Sequence, residues 1–457
     1  ACKVQETNSG PRLIISADRG KNGKTVATLA IASALIRRGL KVSMFKVGPD
    51  FIDPSYHQEI AGAPSRNLDH VLMGNRVIER FHRYSIGKDI AIIEGVAGLY
   101  DSPDGLSEEG STAQMAKILK APVVIVINGE RINRTAGAIL RGLREFDRGV
   151  KIIGAVLTNV VPGQLDKMSK VINREGVELI GYIGKSTTIE SIMSYRHLGL
   201  VHAREKIPGS IASAYNDAPI NIDATKVLRA AKENSEVLDV KLKEEEEMYE
   251  KRDLRIGIVH GRAFTFYYPE TLEIASRLGN VQFIDPERDQ SADADLILIG
   301  GGFPEVYASE LEKNKPFRSY IKNFVEKGGY LYAECGGLMY LSDSIVYDNA
   351  EYKMVGVLDA VSIMMDRPVG HGYARGIALK DTLIATRGTV LLGHEFHYAK
   401  LLLKSSCDFG IKYDKGTGIN GFDGLAIRNS YAQFMHIHPE TYNFMSILAE
   451  KASLNKK

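Results

Sequence analysis

Two α/β domains in one chain are what this sequence predicts, the first laid on a parallel sheet with a phosphate loop, the second on a sheet whose strand ends in a reactive cysteine. Three observations carry that prediction. Residues 13–25, LIISADRGKNGKT, pass from a short apolar run through a loop with Gly20 and Gly23 into Lys24-Thr25, which opens an amphipathic helical run over 26–38. Buried-strand runs then alternate with helical segments as far as residue 159, the pattern of a parallel sheet covered on both faces. From residue 254 a second α/β pattern starts, and in it the apolar run 330–333 leads straight into Glu334-Cys335-Gly336-Gly337.

Bulk properties narrow the class. At 457 residues the chain exceeds what one core usually supports, so tandem domains agree with its length. A formal charge of +2 gives no broad basic surface for nucleic acid or anionic lipid. No apolar run approaches the 18 residues a bilayer span requires, and the opening ACKVQETNSGPR lacks the apolar core of a signal peptide. Cys2, Cys335 and Cys407 lie far apart with no CxxC pair, which argues against a disulfide framework or a zinc site. The expectation is a cytoplasmic protein acting on small molecules, without nucleic acid or membrane, and with a homodimer left open.

In the first half, glycines let backbone N–H groups turn inward around an anion, and the helix N-terminus adds partial positive charge. Gly20, Asn22, Gly23, Lys24 and Thr25 form the expected nucleotide set, with Lys24 toward the β- and γ-phosphates and the Thr25 hydroxyl toward Mg²⁺. Asp18 stands where the usual pattern has its first glycine. A second strand, 41–47, leads into GPDFIDP, and ligands bind at such carboxyl ends of parallel strands. Asp50 reads as a metal ligand there. For Asp53 two readings stand, a helix cap or a group facing the ligand. The run 90–93 ends in Glu94-Gly95, where a second metal ligand belongs. Further strands at 122–127 and 152–157 are separated by helical stretches at 111–119 and 133–145. Asn159 follows the last of these strands, either to meet adenine or to start a turn.

The middle is less structured in appearance. SYRHLGLV at 194–201 is basic and loop-like, and 224–252 is helical and charged, so residues 205–253 read as a surface helix or linker. This divides the chain into 11–204, 205–253 and 254–450.

In the second half, the flanking glycines of Cys335 suit a nucleophile on a sharp strand-to-helix turn, and the helix N-terminus would lower its thiol pKa to give thiolate at neutral pH. A base is needed, and His394, His397, His436 and His438 are available. His438 is preferred, then His436, because HIHPE places Glu440 where it would orient the ring as a third member. Gly301 and Gly302, with Gly336, would supply oxyanion N–H groups, the alternative being a plain tight turn. Glu395 and His397 share a strand face that meets either water or substrate.

Taken together, GKT, FKVGPDFIDPSYH, RNLD, IIEGVAGLYD, RHLGL, GGGFPE, AECGGLMYL, GHEFHY and the terminal His-x-His resemble the cobyrinic acid a,c-diamide synthases of the cobyrinate synthase and glutamine amidotransferase superfamily. The resemblance spans nearly the whole chain. It implies a dethiobiotin-synthetase-like ATP domain followed by a class I glutamine amidotransferase domain. It also implies ATP and Mg²⁺ as cofactors, a tetrapyrrole carboxylate and glutamine as substrates, and two rounds of amidation through acyl phosphates. Thr25, Asp50 and Glu94 correspond to the metal and phosphate shell, Cys335 and His438 to the glutaminase pair, and Phe51, Asp53, Tyr100 and Asp101 to substrate-proximal segments. A sister family that amidates nickel sirohydrochlorin shares nearly every motif. A nucleotide switch without catalysis is the remaining alternative.

Overall fold

The computed structural model describes residues 9–186, 215, 219–240 and 249–455, divided into two compact units, Ala1–Glu244 and Glu245–Lys457. The basic stretch at 194–201 lies outside the described residues.

The first unit is built on eight strands: β1 (Arg12–Ala17), β2 (Val42–Val47), β3 (Arg66–Leu68), β4 (Ile90–Glu94), β5 (Val123–Asn128), β6 (Ile152–Val160), β7 (Glu178–Gly184) and β8 (Ile220–Ile222). Their order is β3-β2-β4-β1-β5-β6-β7-β8, parallel except for β8 against β7. Every residue of β1, β2 and β4 is buried, as expected of strands covered on both faces. The register aligns Ile15 with Glu94 and Glu94 with Lys46, so the phosphate loop and two charged side chains emerge along one sheet edge.

Helix α1 (Lys24–Arg37) departs from its expected amphipathic character. Ala27, Leu29, Ala30, Ile31, Ala32, Ala34 and Leu35 are all buried, leaving little solvated stripe. The cover on its outer side comes from the region read as linker. β8 extends the sheet, and the helix Ala224–Asn234 brings Val227 and Ala231 into the same core as α1. Its charged look arises from Lys226, Arg229 and Lys232, which occupy only the outer face; Arg229 pairs with Glu178 on the surface. Helix α2 (Ile52–Ala61) packs beside α1 and ends at Gly62 in the left-handed conformation.

The second unit has a central sheet of order β10-β9-β11-β12-β22-β21. Its strands are β9 (Arg255–Val259), β10 (Asn280–Ile284), β11 (Leu296–Ile299), β12 (Tyr330–Glu334), β21 (Leu425–Ile427) and β22 (Ser430–Gln433), parallel apart from the β21–β22 hairpin. Two four-stranded sheets, which the sequence did not announce, fill residues 342–423. One joins β13 (Ser342–Tyr347), β14 (Ala350–Lys353), β15 (Leu358–Met364) and β18 (Ala399–Leu403); the other joins β16 (Gly370–Ala378), β17 (Val390–His397), β19 (Ile411–Lys415) and β20 (Phe422–Asp423). The bridge His394–His436 ties β17 to the chain beyond β22.

Candidate active site

In the first unit the loop between β1 and α1 is fastened by its own side chains. Gly23 holds φ at 89°, and a Cβ there would press on Thr158 at 3.3 Å. Asp18, in place of the customary glycine, accepts a 2.6 Å hydrogen bond from Asn22 and so closes the loop from within. The Lys24 ammonium donates to the Arg19 carbonyl at 3.4 Å, and both Lys24 and Thr25 are buried. A pocket beside the loop is lined by Arg19, Asn128, Glu130, Arg131 and Ile132. Asn159 is absent from that lining. It holds φ at 54° within β6, at a register shift between Thr158 and Val160, so it is a β-bulge residue and neither starts a turn nor lines this pocket.

Along the sheet edge the organising group is one that the sequence reading passed over. Lys46, at the end of β2 and 5% exposed, lies 2.6 Å from Asp53, 3.7 Å from Glu94 and 4.0 Å from Asp50, and donates to the Gly95 carbonyl at 3.0 Å. A lysine in the buried run MFKV was the available signal, since buried ammonium groups are rare unless paired. Glu94 is fully buried and accepts from His57 Nε2 at 2.9 Å, while His57 Nδ1 meets Ser65 Oγ. Burial and Asp53 push the Glu94 carboxyl up, but Lys46 and His57 outweigh them and hold it below the usual carboxylate range.

This network redistributes the expected roles. Asp50 accepts from the N–H groups of Ile52 and Asp53, so Asp50 rather than Asp53 caps α2. Each of its oxygens takes one backbone hydrogen bond, and Oδ2 also lies 4.0 Å from the Lys46 ammonium. Glu94 keeps Oε1 buried without a hydrogen bond among the described residues, which fits a cation arriving with phosphates. Phe51 precedes α2, half-buried. Asp101 is exposed and accepts from Gly98 N–H at 2.8 Å. Tyr100 donates its hydroxyl to the Leu143 carbonyl at 2.5 Å and sets its ring against Phe146.

In the second unit β12 delivers Cys335, whose φ of 49° and ψ of −104° are rare for a residue with a side chain and mark a strained turn of about 1–3 kcal/mol. Its N–H donates to the Gln433 carbonyl at 2.8 Å, which locks the turn to β22. Glycine is required behind it, since a Cβ on Gly337 would meet the Ile299 carbonyl at 2.3 Å. Cys335 is 2% exposed, and its sulfur sits 3.4 Å from the Phe396 carbonyl. The expected thiolate does not result. Burial and the charges of Glu305, Glu334 and Glu395 push the thiol well above its ordinary value, against the pull of the Gly336 N–H. The following helix, Gly336–Leu341, is six residues long and contributes little dipole.

His436 and His438 face different neighbours. A Cβ on Gly301 would lie 2.6 Å from His436 Cε1, and one on Gly336 would lie 3.1 Å from the Gly302 nitrogen. His436, Gly301, Gly302 and Gly336 therefore pack against one another next to the elbow. Burial and His397 push His436 down to about 3, so it is a neutral imidazole at rest. His438 instead packs at a tilt against Tyr268, ring centroids 4.5 Å apart, with its Nε2 3.5 Å from Glu270. Glu440 donates its backbone N–H to His438 Nδ1 at 3.2 Å, and a second carboxylate, Glu270, stands at the Nε2 side of the ring. Glu270 comes from a distant helix, Pro269–Leu278, and no local spacing signals it. Glu395 and His397 pair with each other at 3.0 Å, Glu395 also accepting from Gly418 N–H, so this pair is buried structure and not a water-facing surface.

A strand–loop–helix phosphate cradle in one unit and an elbow cysteine with a neutral imidazole in the other define a nucleotide-using glutamine amidotransferase, a carbon–nitrogen ligase. Residues 13–198 match the CobQ/CobB/MinD/ParA nucleotide binding domain and residues 255–444 the CobB/CobQ-like glutamine amidotransferase domain. The chain is 39% identical to a cobyrinate a,c-diamide synthase of Archaeoglobus fulgidus over 94% of both chains, and 37% identical to one of Methanosarcina barkeri over 98% of this chain and 97% of that one. A Listeria monocytogenes enzyme of the same name is 34% identical over 93% of this chain and 96% of its own. The chain belongs to the cobyrinate a,c-diamide synthase family. Among the described residues, no helix is long and apolar enough to cross a membrane.

Proposed function

We propose that this chain converts the a and c side-chain carboxylates of cobyrinic acid to amides, with ATP activating each acid and glutamine supplying nitrogen. The observation that carries the reading is that one chain holds both the phosphate loop at residues 23–25 and Cys335, whose neighbour Gly336 packs on the Gly301-Gly302 loop that also meets His436. In the second unit, neutral His436 takes the thiol proton as Sγ attacks the glutamine amide carbon. Gly302 and Gly336, beside Gly301, receive the developing oxyanion. The imidazolium returns the proton to the leaving nitrogen, ammonia departs, and water hydrolyses the thioester to glutamate. Storing thiol and imidazole neutral suits a buried site, because charge then appears only as the bond is made.

In the first unit, Lys24 and the loop N–H groups hold the β- and γ-phosphates in line with the acceptor carboxylate. Mg²⁺, when bound, neutralises phosphate charge; Thr25, the Oε1 atom of Glu94 and Asp50 are the groups that would hold it. Phosphoryl transfer gives an acyl phosphate, and ammonia displaces phosphate to leave the carboxamide. Lys46 fixes Asp53 and Glu94 beside that reaction and helps to keep Glu94 ionised. Phe51 and Asp101 are retained as substrate-side residues, and Asn128, which lines the pocket beside the loop, joins Asn159 as a strand-end amide for adenine.

The test is product mass spectrometry with ATP and glutamine, offering cobyrinic acid beside nickel sirohydrochlorin. A cobyrinate diamide is the expected product. Amidation of the nickel macrocycle alone would transfer the assignment to that substrate, and glutamine consumption with neither product would sink both.

A further inference from the structure

We infer that Glu305 receives the α-ammonium group of the glutamine whose amide Cys335 attacks, so that the site selects amino-acid amides over amides lacking that cation. The inference rests on the glutaminase reading above and deepens it. Glu305 lies in the turn Pro304–Tyr307, immediately beyond the Gly301-Gly302 loop. That turn is seated on the elbow, since a Cβ on Gly336 would fall 3.0 Å from Pro304 Cδ and 3.1 Å from the Gly302 nitrogen.

The side chain is 7% exposed, and its Oε2 atom takes no hydrogen bond from any described residue. A buried carboxyl left in that condition is costly, and a cationic ligand removes the cost. Burial pushes this carboxyl up to about 7, and after burial its charge is the largest influence on the Cys335 thiol, so the two groups share one local field. The neighbouring acids are already committed. Glu334 accepts from Tyr332 Oη at 2.8 Å and Ile437 N–H at 2.9 Å, and Glu395 accepts from His397 and Gly418. Glutamine carries its ammonium a few bonds from the reacting amide carbon, which suits an acid positioned next to the oxyanion loop and not further along the sheet.

The experiment compares hydrolysis of glutamine with that of glutaramate, which is glutamine without the α-amino group, by the full chain and by Glu305→Gln. The wild type is expected to favour glutamine by roughly 10- to 150-fold in kcat/KM, the range for one hydrogen bond to a buried charge. Glu305→Gln should bring that ratio to within a few-fold, chiefly by raising KM for glutamine, while alkylation of Cys335 by iodoacetamide is at least as fast as in the wild type, since the carboxylate no longer opposes the thiolate. A wild-type ratio near one, or a variant that slows both substrates equally, overturns the inference. Should the amide variant fail the alkylation control, Glu305→Asp is read the same way, with an intermediate ratio expected and an unchanged ratio against it. Failure of the wild type to hydrolyse glutamine at all would instead remove the glutaminase reading on which this one stands.

Discussion

The two centres of this chain keep their charges in opposite ways. In the first unit Lys46 stands among Asp53, Glu94 and Asp50, and Glu94 is held ionised below the usual carboxylate range by Lys46 and His57 against its burial. In the second unit burial prevails: Glu305 is pushed up to about 7, Glu334 up to about 8, His436 down to about 3 and the Cys335 thiol well up. One centre is charged before its substrate arrives, and the other is neutral until its substrate arrives. The contrast follows from the chemistry each must do. Phosphoryl transfer needs fixed charges aimed at phosphate oxygens, whereas an amide attacked by a thiol needs a proton that can move.

The largest effect should come from disabling one centre while watching the other. Cys335→Ser is expected to lower glutamine-dependent amidation by roughly 10³-fold or more while amidation supported by ammonium salts persists, whereas Lys24→Ala should stop both. Steady-state rates with each nitrogen source make the measurement. Loss of ammonia-dependent turnover in Cys335→Ser would show that the two centres do not divide the labour in this way.

A smaller contrast lies inside the second unit. His436 borders the oxyanion glycines, and His438 rests on Tyr268 and Glu270. His436→Asn should therefore cost roughly 10²- to 10⁴-fold in glutaminase kcat, the range for a general base, and His438→Asn no more than about 10-fold. Equal losses, or a larger loss at His438, would return the base to the HPE motif.

Much of this architecture was legible because the informative residues are local. Gly23, Lys24 and Thr25 are consecutive, and Glu334 to Gly337 spell out a strand-to-helix turn, so short-range spacing reveals both. What escaped depends on contacts across the fold. Glu440 is visible beside His438 because it is near in sequence, whereas Glu270, 3.5 Å from the ring, is delivered by another helix that no local spacing signals. The helix Ala224–Asn234 looked solvated because Lys226, Arg229 and Lys232 hide a narrow stripe of Val227 and Ala231, and α1 looked amphipathic because that cover could not be seen. The expected thiolate failed for a related reason: a helix N-terminus is visible in sequence, whereas three acidic neighbours and full burial are not.

Glu334 offers the finest test of the contrast between centres. Its Oε2 accepts from Ile437 N–H and Tyr332 Oη, and Ile437 lies between His436 and His438, so the carboxyl holds the histidine-bearing segment to the elbow. In an unfolded chain it titrates near 4.5, and in the fold burial raises it to about 8. Between those values the folded form keeps a proton that the unfolded form has released. Its stabilising contribution is therefore fully present below about 4.5 and is lost as pH rises through about 8, at no more than about 1.4 kcal/mol per pH unit. Glu305 and Asp423, also raised by burial, act with the same sign and remain in the variant. Glu334→Gln keeps an acceptor oxygen for both hydrogen bonds and removes this titration. Melting temperatures should then match the wild type within a few degrees at pH 5 and fall less steeply toward pH 8, the gap reaching roughly 2–4 °C per kcal/mol for a unit of this size. Parallel curves for the two proteins would mean that Glu334 is ionised at rest and that the second centre is not stored neutral.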